Sequence, residues 1–335
     1  MSSSSLRALR EAAGLTQAEL AARAGVSRQL VGAAEVGKHL PRVDAALALA
    51  AALNVDVRSL FITESTPVDV ASGLTPVDGS LVRAGRVGDR IVTVPARVGL
   101  NGWDVADGVV EGGALASFGR RGPGVVVAGC EPGLEVLERM LREQGSGAVA
   151  ATGSSTTAAD ALAAGRVHAA VVHGPEHRSF PLPTNVGVDR YRLARWRVGL
   201  AAPSTAASGW WQEALAGRVP VVQREQGAGV QRTFEEGLDT PHSRVAGPRV
   251  DTHLEAARTA VLTGMAAVTI EPAAMAVGAS FHPLEVHEAQ IWLSRTWVRE
   301  PAIAEALNVL ASRRFQRRLE GVGGYDLEGC GTRAA

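Results

Sequence analysis

Three patterns of apolar and polar residues follow one another along the chain. In residues 1–63, apolar residues recur at helical spacing in short segments that are separated by turns. Residues 64–121 hold short alternating runs broken by glycine, a pattern typical of small β-hairpins. In residues 122–328, continuous apolar runs alternate with amphipathic segments of helical spacing. The sequence therefore predicts a multidomain protein with an all-α N-terminal domain, a linker and small β-rich element, and an α/β domain.

The N-terminal domain is organised around two helical segments that meet at a tight turn, within LTQAELAARAGVSRQLVGAAEVGKHLP. Thr16 and Glu19 have the spacing of a capping box, which predicts a helix over residues 17–24. Ser27 is placed to cap a second helix over residues 28–35. This is a helix-turn-helix arrangement, in which the second helix enters the major groove of DNA. The alternative is a small helical bundle that contacts only other proteins.

The helix pair and its flanking segments, SLRALREAAG before it and VDAALALAAAL after it, resemble the lambda-repressor and Cro-like (XRE) family over residues 5–62. In that family the Gln that opens the second helix touches the phosphate backbone and supports the Gln at the start of the recognition helix. The resemblance places these roles on Gln17 and Gln29. Exposed Gln and Arg side chains can pair with adenine and guanine edges. The expected DNA-binding residues are Gln17, Ser27, Arg28, Gln29 and Lys38.

The stretch SLVRAGRVGDRIVTVPA, residues 80–96, predicts a hairpin of two short strands around Gly88-Asp89. More extended chain with frequent glycine follows up to residue 121. We expect this β-rich element to pack on the domain that follows it, rather than to form a separate dimerisation module.

The α/β domain begins with GVVVAG, an apolar run between glycines that predicts a buried parallel strand. The helical segment CEPGLEVLERMLREQG, a second strand and helix, and the strand HAAVVHG follow it. Repeated βα units of this length predict a parallel sheet with helices on both faces. A second α/β unit comes next, and extended segments near residues 190–202 and 280–294 connect the two units. The pattern predicts two lobes.

The segments AGCEPGLEVL, TGSSTTAADALAAGRVHAAVVHG and VVQREQGAGVQR, with the closing RRFQRRLEGVGGYDLEG, resemble the type 2 periplasmic-binding-protein fold. The likeness covers about residues 122–328 and is closest to the molybdate-binder-like branch found inside cytoplasmic regulators. It implies a two-lobed α/β domain that binds a small molecule, with molybdate or tungstate as the expected oxyanion and no other cofactor.

A ligand of such a fold is expected at the carboxyl ends of the strands, where helix N-termini present free N–H groups. The run SSTT places four hydroxyls at one helix start, although one cap needs only one. Helix capping alone is the alternative for this run. Glu131 and nearby arginines leave room for a larger organic ligand of mixed charge. The expected ligand-binding residues are Cys130, Glu131, Ser154, Ser155, Thr156, Gln226, Gly227, Gly229 and Glu271.

Metal and catalytic chemistry have weaker support in the sequence. His282, Glu285 and His287 lie on one extended segment, where His282 faces away from the other two, so we expect no metal site there. No histidine neighbours Cys130 in sequence, and we expect a packed thiol. Neither a Ser/His/Asp set nor a carboxylate pair can be placed, so we expect no enzymatic activity.

Composition is that of a globular protein, 46% apolar and 20% charged, with neither a signal-peptide core nor an apolar run long enough for a membrane helix. We expect a cytoplasmic protein that does not bind membranes. The formal net charge is zero, yet residues 1–62 hold seven basic against five acidic residues, a local excess of +2. So small an excess predicts that two copies bind DNA together.

These observations favour a one-component transcriptional regulator, a homodimer that binds operator DNA and responds to a small molecule such as the oxyanion molybdate. One alternative is an enzyme or molybdenum-cofactor-related protein on the same two-lobed fold. Another is a DNA-bound repressor whose lobes only mediate assembly. A crevice filled by the protein's own side chains would favour the second alternative.

Overall fold

The computed structural model describes residues 5–36, 38–60, 66–96, 98–99, 102–103, 105–118, 124–175, 185–239 and 245–334. Its elements form an N-terminal helical domain, a small β-sheet and a two-lobed α/β domain, which is the multidomain architecture that the sequence predicts. None of the helices in these ranges is both long and apolar enough to cross a membrane.

The N-terminal domain consists of short helices, because turn residues repeatedly interrupt the apolar periodicity. The helices are α1 (Ser5–Ala12), α2 (Gln17–Ala24), α3 (Arg28–Glu35) and α4 (Val43–Leu53), followed by a 3-10 helix (Val57–Leu60). Leu20, Val31 and Leu49 are fully buried where the apolar faces of α2, α3 and α4 meet. The predicted bounds of α2 and α3 are confirmed to the residue.

Local hydrogen bonds fix the turn between α2 and α3. The Thr16 hydroxyl accepts from the Glu19 amide and the Glu19 carboxylate accepts from the Thr16 amide, which confirms the predicted capping box. The Ser27 hydroxyl accepts from the Leu30 amide at 3.1 Å and begins α3. Gly25 ends α2 with a φ of 64°, a left-handed conformation that glycine adopts without strain.

A buried ion pair ties α1 to α3. Arg10 Nε donates to Glu35 Oε1 at 2.6 Å, and Arg10 Nη1 donates to the Leu15 carbonyl at 2.7 Å. Gln17 Nε2 donates to the other carboxylate oxygen of Glu35 at 2.8 Å. The carboxylate therefore has partners on α1 and α2, which offsets the loss of its hydration.

The chain between the two large domains forms a five-stranded sheet and a separate pair of strands. The strands are β1 (Val68–Asp69), β2 (Leu81–Val87), β3 (Arg90–Pro95), β4 (Val98–Gly99), β5 (Gly102–Trp103), β6 (Gly108–Glu111) and β7 (Ala114–Ser117). The sheet has the order β1-β3-β2-β6-β7, and β4 pairs with β5. The predicted hairpin of β2 and β3 is confirmed, with Val87 opposite Arg90 across the turn.

The five-stranded sheet packs on the α/β domain, as the sequence predicts. Val87 shares a core with Val126 and Val149 of that domain. Arg83 donates to both carboxylate oxygens of Glu138, at 2.7 and 2.9 Å. Apolar packing and a largely buried ion pair thus hold the small sheet in place.

The α/β domain has two lobes and two long strands between them. Lobe one contains β8 (Gly124–Gly129), α5 (Gly133–Glu143), β9 (Gly147–Thr152), α6 (Ser155–Ala163) and β10 (Ala169–Pro175). The strand β11 (Val188–Ala202) leads to lobe two, which contains α7 (Trp210–Leu215), β12 (Val221–Arg224), α8 (Gly229–Glu236), β13 (Arg249–Val250), α9 (His253–Thr263), β14 (Ala266–Ile270) and α10 (Glu271–Ala276). The strand β15 (Ser280–Ser294) returns to lobe one, and α11 (Pro301–Ala311) and α12 (Arg313–Glu320) follow it.

The long strands β11 and β15 join both lobes into one sheet, ordered β13-β12-β14-β11-β15-β10-β8-β9. They pair antiparallel from Val188 opposite Ser294 to Ala202 opposite Ser280. The strands β8, β9 and β10 are parallel, as predicted, whereas β15 joins β10 antiparallel. The sheet as a whole is mixed rather than parallel, because the predicted extended connections are themselves strands.

A buried histidine makes the stability of lobe one depend on pH. His168 is 4% exposed, and its Nδ1 accepts a hydrogen bond from the Val126 amide at 2.9 Å. Loss of hydration lowers the pKa of His168 from 6.5 to about 4. The unfolded chain therefore binds a proton in a pH range where the folded chain does not.

Acidification from pH 7 to pH 5 is expected to lower the free energy of unfolding by about 2 kcal/mol through His168. This stabilisation is present above the unfolded pKa of 6.5 and is lost as the pH falls toward 4. The variant His168→Asn keeps an acceptor for the Val126 amide and does not titrate in this range. Urea unfolding at both pH values should show a weaker pH dependence in the variant, and equal pH dependence would contradict a neutral buried imidazole.

Candidate ligand site between the lobes

Four buried side chains from distant parts of the sequence meet between the lobes. Cys130 follows β8 and His173 lies near the end of β10, both in lobe one. His253 begins α9 in lobe two, and His287 lies on β15. We call these four residues the interlobe cluster. Each of them is at least nine-tenths buried, and the cluster lies at the carboxyl ends of parallel strands, where ligands of open α/β sheets bind.

A chain of hydrogen-bond distances runs through three members of the interlobe cluster. His173 Nε2 lies 3.1 Å from Cys130 Sγ, and His173 Nδ1 lies 3.1 Å from His287 Nδ1. His287 Nε2 lies 3.1 Å from Glu285 Oε2, which also accepts from the Thr233 hydroxyl at 3.0 Å. Since a carboxylate accepts only, a neutral His287 donates to Glu285 through Nε2 and accepts from His173 through Nδ1. The Nε2 lone pair of His173 therefore points at the thiol.

Burial sets the protonation of the interlobe cluster. Loss of hydration lowers the pKa of His173 and of His253 well below 6.5. The same effect raises the pKa of the Cys130 thiol to about 12. At neutral pH His173 and His253 are therefore neutral, and the Cys130 thiol is protonated.

His253 has a different environment from the other histidines. Arg224 Nη1 lies 2.7 Å from His253 Nδ1, and the Arg224 guanidinium also donates to the carbonyls of Val250 and Asp251. Because Arg224 can only donate, His253 Nδ1 accepts and Nε2 carries the ring proton. Among the described residues, His253 Nε2 is buried without a hydrogen-bond partner.

Glu131 closes one side of the interlobe cluster. Its carboxylate accepts from Trp196 Nε1 at 2.9 Å, from the Tyr325 hydroxyl at 2.5 Å and from the Gly133 amide at 2.9 Å. Burial raises the pKa of Glu131, and these three donors oppose that shift. The Trp196 ring stacks on the His287 ring with centroids 5.8 Å apart. Glu131 therefore lies beside the interlobe cluster, and its oxygens are engaged within the protein.

The predicted hydroxyl run also has internal partners. Ser154 caps α6 by accepting from the Thr157 amide at 3.2 Å, and it lies 2.9 Å from the Thr157 hydroxyl. The Ser155 hydroxyl accepts from the His173 amide at 3.1 Å, while Thr156 is exposed. A helix cap needs only one hydroxyl of this run. The hydroxyl of Ser155 has a different role, because its bond with the His173 amide anchors β10.

The remaining predicted ligand residues lie in three places. Gly229 is close to the interlobe cluster, because a Cβ added there would lie 3.4 Å from His173 Cε1. Gln226 and Gly227 are exposed at the turn before α8. Glu271 pairs through both carboxylate oxygens with Arg197. The structure thus gathers Cys130, Glu131, Ser155 and Gly229 around His173, and does not bring the whole predicted set together.

On the helix-turn-helix, the predicted DNA-binding residues have distinct environments. Arg28, Gln29 and Lys38 are exposed, and Ser27 serves as the N-cap of α3. Gln17 is expected from the resemblance to support Gln29, but the structure pairs it with Glu35, since Gly32 leaves space for the Gln17 side chain to lie across α3.

Sequence reasoning missed His253, Trp196 and Tyr325. It expected a packed thiol at Cys130, and the thiol is buried, but nothing in the sequence indicated the histidine that lies beside it. The neighbour, His173, is distant in sequence and reaches the thiol because β8 and β10 are adjacent parallel strands. The sequence could have indicated this contact only through position, because Cys130 and His173 each lie at the end of a predicted strand. The predicted common side of Glu285 and His287 is confirmed by their contact.

Comparison with known proteins identifies both large domains. The helix-turn-helix family model matches residues 6–60, and the PBP superfamily domain model matches residues 138–311. No curated protein shows a significant sequence match to the chain.

Many solved structures are similar to parts of this chain, among them the following three. A candidate phosphate ABC transporter substrate-binding protein with bound phosphate from Clostridium perfringens is 11% identical over 60% of this chain and 98% of that chain, with a TM-score of 0.48. The regulatory domain of MexT, a transcriptional activator in Pseudomonas aeruginosa, is 16% identical over 59% of this chain and 96% of that chain, with a TM-score of 0.42. The restriction-modification controller protein C.AhdI from Aeromonas hydrophila is 42% identical over 17% of this chain and 86% of that chain, with a TM-score of 0.17.

Proposed function

The chain belongs to the PBP superfamily and carries an N-terminal helix-turn-helix domain, and we propose on this basis that it is a transcriptional regulator controlled by a small ligand between its lobes. Because its partner is operator DNA, it acts in the cytoplasm, and it acts by binding rather than by catalysis. The ligand favours one arrangement of the lobes, and that arrangement changes the affinity for DNA.

The observation that supports a ligand-controlled regulator most strongly is the composition of the interlobe cluster. Lobe one supplies Cys130 and His173, lobe two supplies His253, and all three are buried together. The protein's own side chains fill this space, which is the outcome expected for lobes that only mediate assembly, but their polar character favours a ligand, because lobes that served only for assembly would fill the space with apolar side chains. Buried polar groups reduce stability unless they are fully paired. The unpartnered His253 Nε2 shows that the pairing is incomplete among the described residues.

The DNA-binding half of the proposal rests on the exposed start of α3. Arg28 and Gln29 begin the helix that enters the major groove in this motif, and both are exposed. Arg pairs with guanine and Gln with adenine through two hydrogen bonds each. With a local charge of only +2, one domain binds weakly, so we propose a dimer on half-sites about 34–36 Å apart or a multiple of this.

The double variant Arg28→Ala/Gln29→Ala is expected to lose sequence-specific binding, by roughly 1–3 kcal/mol for each base contact removed. Fluorescence anisotropy with a duplex selected from a random-sequence library measures the loss. Gln17→Ala should weaken binding evenly across sequences, because phosphate contacts carry no sequence information. Arg313→Ala, an exposed arginine on α12, is the matched control and should bind as wild type does. Unchanged operator affinity in the double variant would contradict the assignment of α3 as the recognition helix.

For the ligand, the sequence favours an oxyanion such as molybdate or tungstate. The hydroxyls of Ser154 and Ser155 already have partners within the chain, so an oxyanion would depend on Thr156 and on backbone N–H groups near Gly227 and Gly229. Calorimetry with molybdate and phosphate tests this version of the proposal. Thr156→Asp should then abolish the binding heat, because it places a carboxylate where the anion would bind.

A further inference from the structure

We infer that the interlobe cluster is a binding site for a soft monovalent metal ion of the Cu⁺ class, held by Cys130 Sγ, His173 Nε2 and a ring nitrogen of His253. This inference rests on the proposed function and specifies its ligand: an ion bound by both lobes stabilises their closed arrangement. Thiolate sulfur and imidazole nitrogen are the donors that such an ion prefers.

The three donor residues already lie near the separations that a metal centre requires. Their ligand atoms are all within 4.8 Å of one another, and Cys130 Sγ lies 3.1 Å from His173 Nε2. Bonds of about 2.0–2.3 Å at tetrahedral to trigonal angles place neighbouring donors roughly 3.5–4 Å apart. The cluster therefore accepts an ion after side-chain shifts of about 1 Å, without a change of fold.

The orientation of His173 is that of a metal ligand. Its Nδ1–H donates to His287, which in turn donates to Glu285. Metal-binding histidines commonly donate their second N–H in this way, which fixes the tautomer and raises the basicity of the ligating nitrogen. The lone pair of His173 Nε2 is consequently available on the side where Cys130 lies.

Charge distinguishes the monovalent ion from a divalent one. Arg224 brings a positive charge to within 2.7 Å of the His253 ring. Two carboxylates beside the cluster, Glu131 and Glu285, are engaged by other donors, and a third, Glu225, lies 4.0 Å from Arg224 and offsets only part of its charge. A Cu⁺–thiolate unit is neutral, whereas a Zn²⁺–thiolate unit would add a second positive charge in a buried site, where unpaired charge is costly.

The number of donors supports the same choice. Among the described residues, the gathered group contains three ligands, and His287 Nδ1 is occupied by the bond from His173. Structural zinc sites almost always have four ligands, whereas Cu⁺ accepts three or two. Binding releases the Cys130 thiol proton to solvent and forms the Cu–S bond with no change in oxidation state. It also breaks the contact between His253 Nδ1 and Arg224, because Nδ1 either becomes the ligand or takes the ring proton so that Nε2 becomes the ligand.

Titration of the full-length protein with Cu⁺ under anaerobic, reducing conditions, in competition with a chromogenic Cu⁺ chelator, tests the inference. We expect one ion per chain and a thiolate-to-copper charge-transfer band in the ultraviolet. X-ray absorption should show one sulfur and two nitrogen neighbours. The band and the absorption spectrum come from the wild type, so the test does not depend on the folding of any variant.

Variants locate the site. Cys130→Ser, His173→Gln and His253→Gln should each lower Cu⁺ affinity at least 100-fold, and Glu285→Gln by roughly 10–100-fold at unchanged stoichiometry. Cys330→Ser is the matched control, because Cys330 is also a buried free thiol but bonds to the Leu310 carbonyl. No Cu⁺ binding, tighter Zn²⁺ than Cu⁺ binding, or a loss confined to Cys330→Ser would overturn the inference.

Operator binding measured on the same preparation separates this inference from the function that it rests on. Sequence-specific DNA binding without any Cu⁺ site would overturn the metal assignment and leave the regulator intact. A Cu⁺ site in a chain that binds no specific DNA would overturn the proposed function and leave the metal site.

Discussion

Replacement of Arg10 by methionine is expected to destabilise the N-terminal domain by about 3 kcal/mol and to weaken operator binding. Arg10 is 9% exposed and Glu35 is 5% exposed, so the variant leaves a buried carboxylate with Gln17 as its remaining side-chain partner. The destabilisation measured when one partner of a buried ion pair is removed covers a range, and we expect a value at its lower end, because this pair lies near the surface of a small domain. Loss of 3 kcal/mol is a large fraction of the stability of any small domain, about 5–15 kcal/mol.

Hydrogen exchange of the full-length chain, followed by mass spectrometry over α2 and α3, measures this destabilisation locally. Amide protection there should fall roughly a hundredfold in Arg10→Met, with little change in the α/β domain. Arg7→Met is the control, because the Arg7–Glu11 pair is exposed and should matter little. The double variant Arg10→Met/Glu35→Leu should recover much of the protection, since removing both charges removes the unpaired one. Unchanged protection in the single variant would mean that the pair does not stabilise the domain.

Occupation of the interlobe cluster is expected to change operator affinity by roughly 5–150-fold, the usual range of allosteric coupling. The donors come from both lobes, so their contacts with a ligand are complete only when the lobes are closed. The strands β11 and β15 pair along their whole length and connect the lobes, which makes them the element about which closure occurs. In a dimer, closure of the lobes would change the distance between the two recognition helices. Because the two DNA half-sites are a fixed distance apart, one of the two helices would then lose contacts with DNA.

The N-terminal domain could be predicted from sequence because its information is local. Thr16, Glu19 and Ser27 specify helix starts through bonds to amides three residues away, and the structure contains each of these bonds. The strands and helices of the lobes followed from apolar periodicity for the same reason. The role of Gln17 could not be predicted in this way, because its partner Glu35 lies on another helix. The buried ion pair with Arg10 holds Glu35 where Gln17 can donate to it.

The candidate site could be predicted only in its position. The carboxyl ends of β8 and β10 indicated Cys130, but its contact with His173 depends on strand order, which the local pattern does not encode. His253 belongs to another lobe and Tyr325 to the segment after α12. Whether a hydroxyl or carboxylate is free for a ligand depends on such distant partners. For this reason Ser155 and Glu131 were assigned to a ligand by type, whereas the structure shows them bonded within the chain.

The most direct test of ligand control is the operator affinity of the full-length protein with saturating Cu⁺ and with excess Cu⁺ chelator, measured by fluorescence anisotropy. We predict dissociation constants that differ by roughly 5–150-fold in the wild type and coincide in His253→Gln. Reciprocity requires operator DNA to change Cu⁺ affinity by the same factor, which provides an internal check. Equal operator affinities in a chain shown to hold one Cu⁺ ion would contradict control of DNA binding by the lobes.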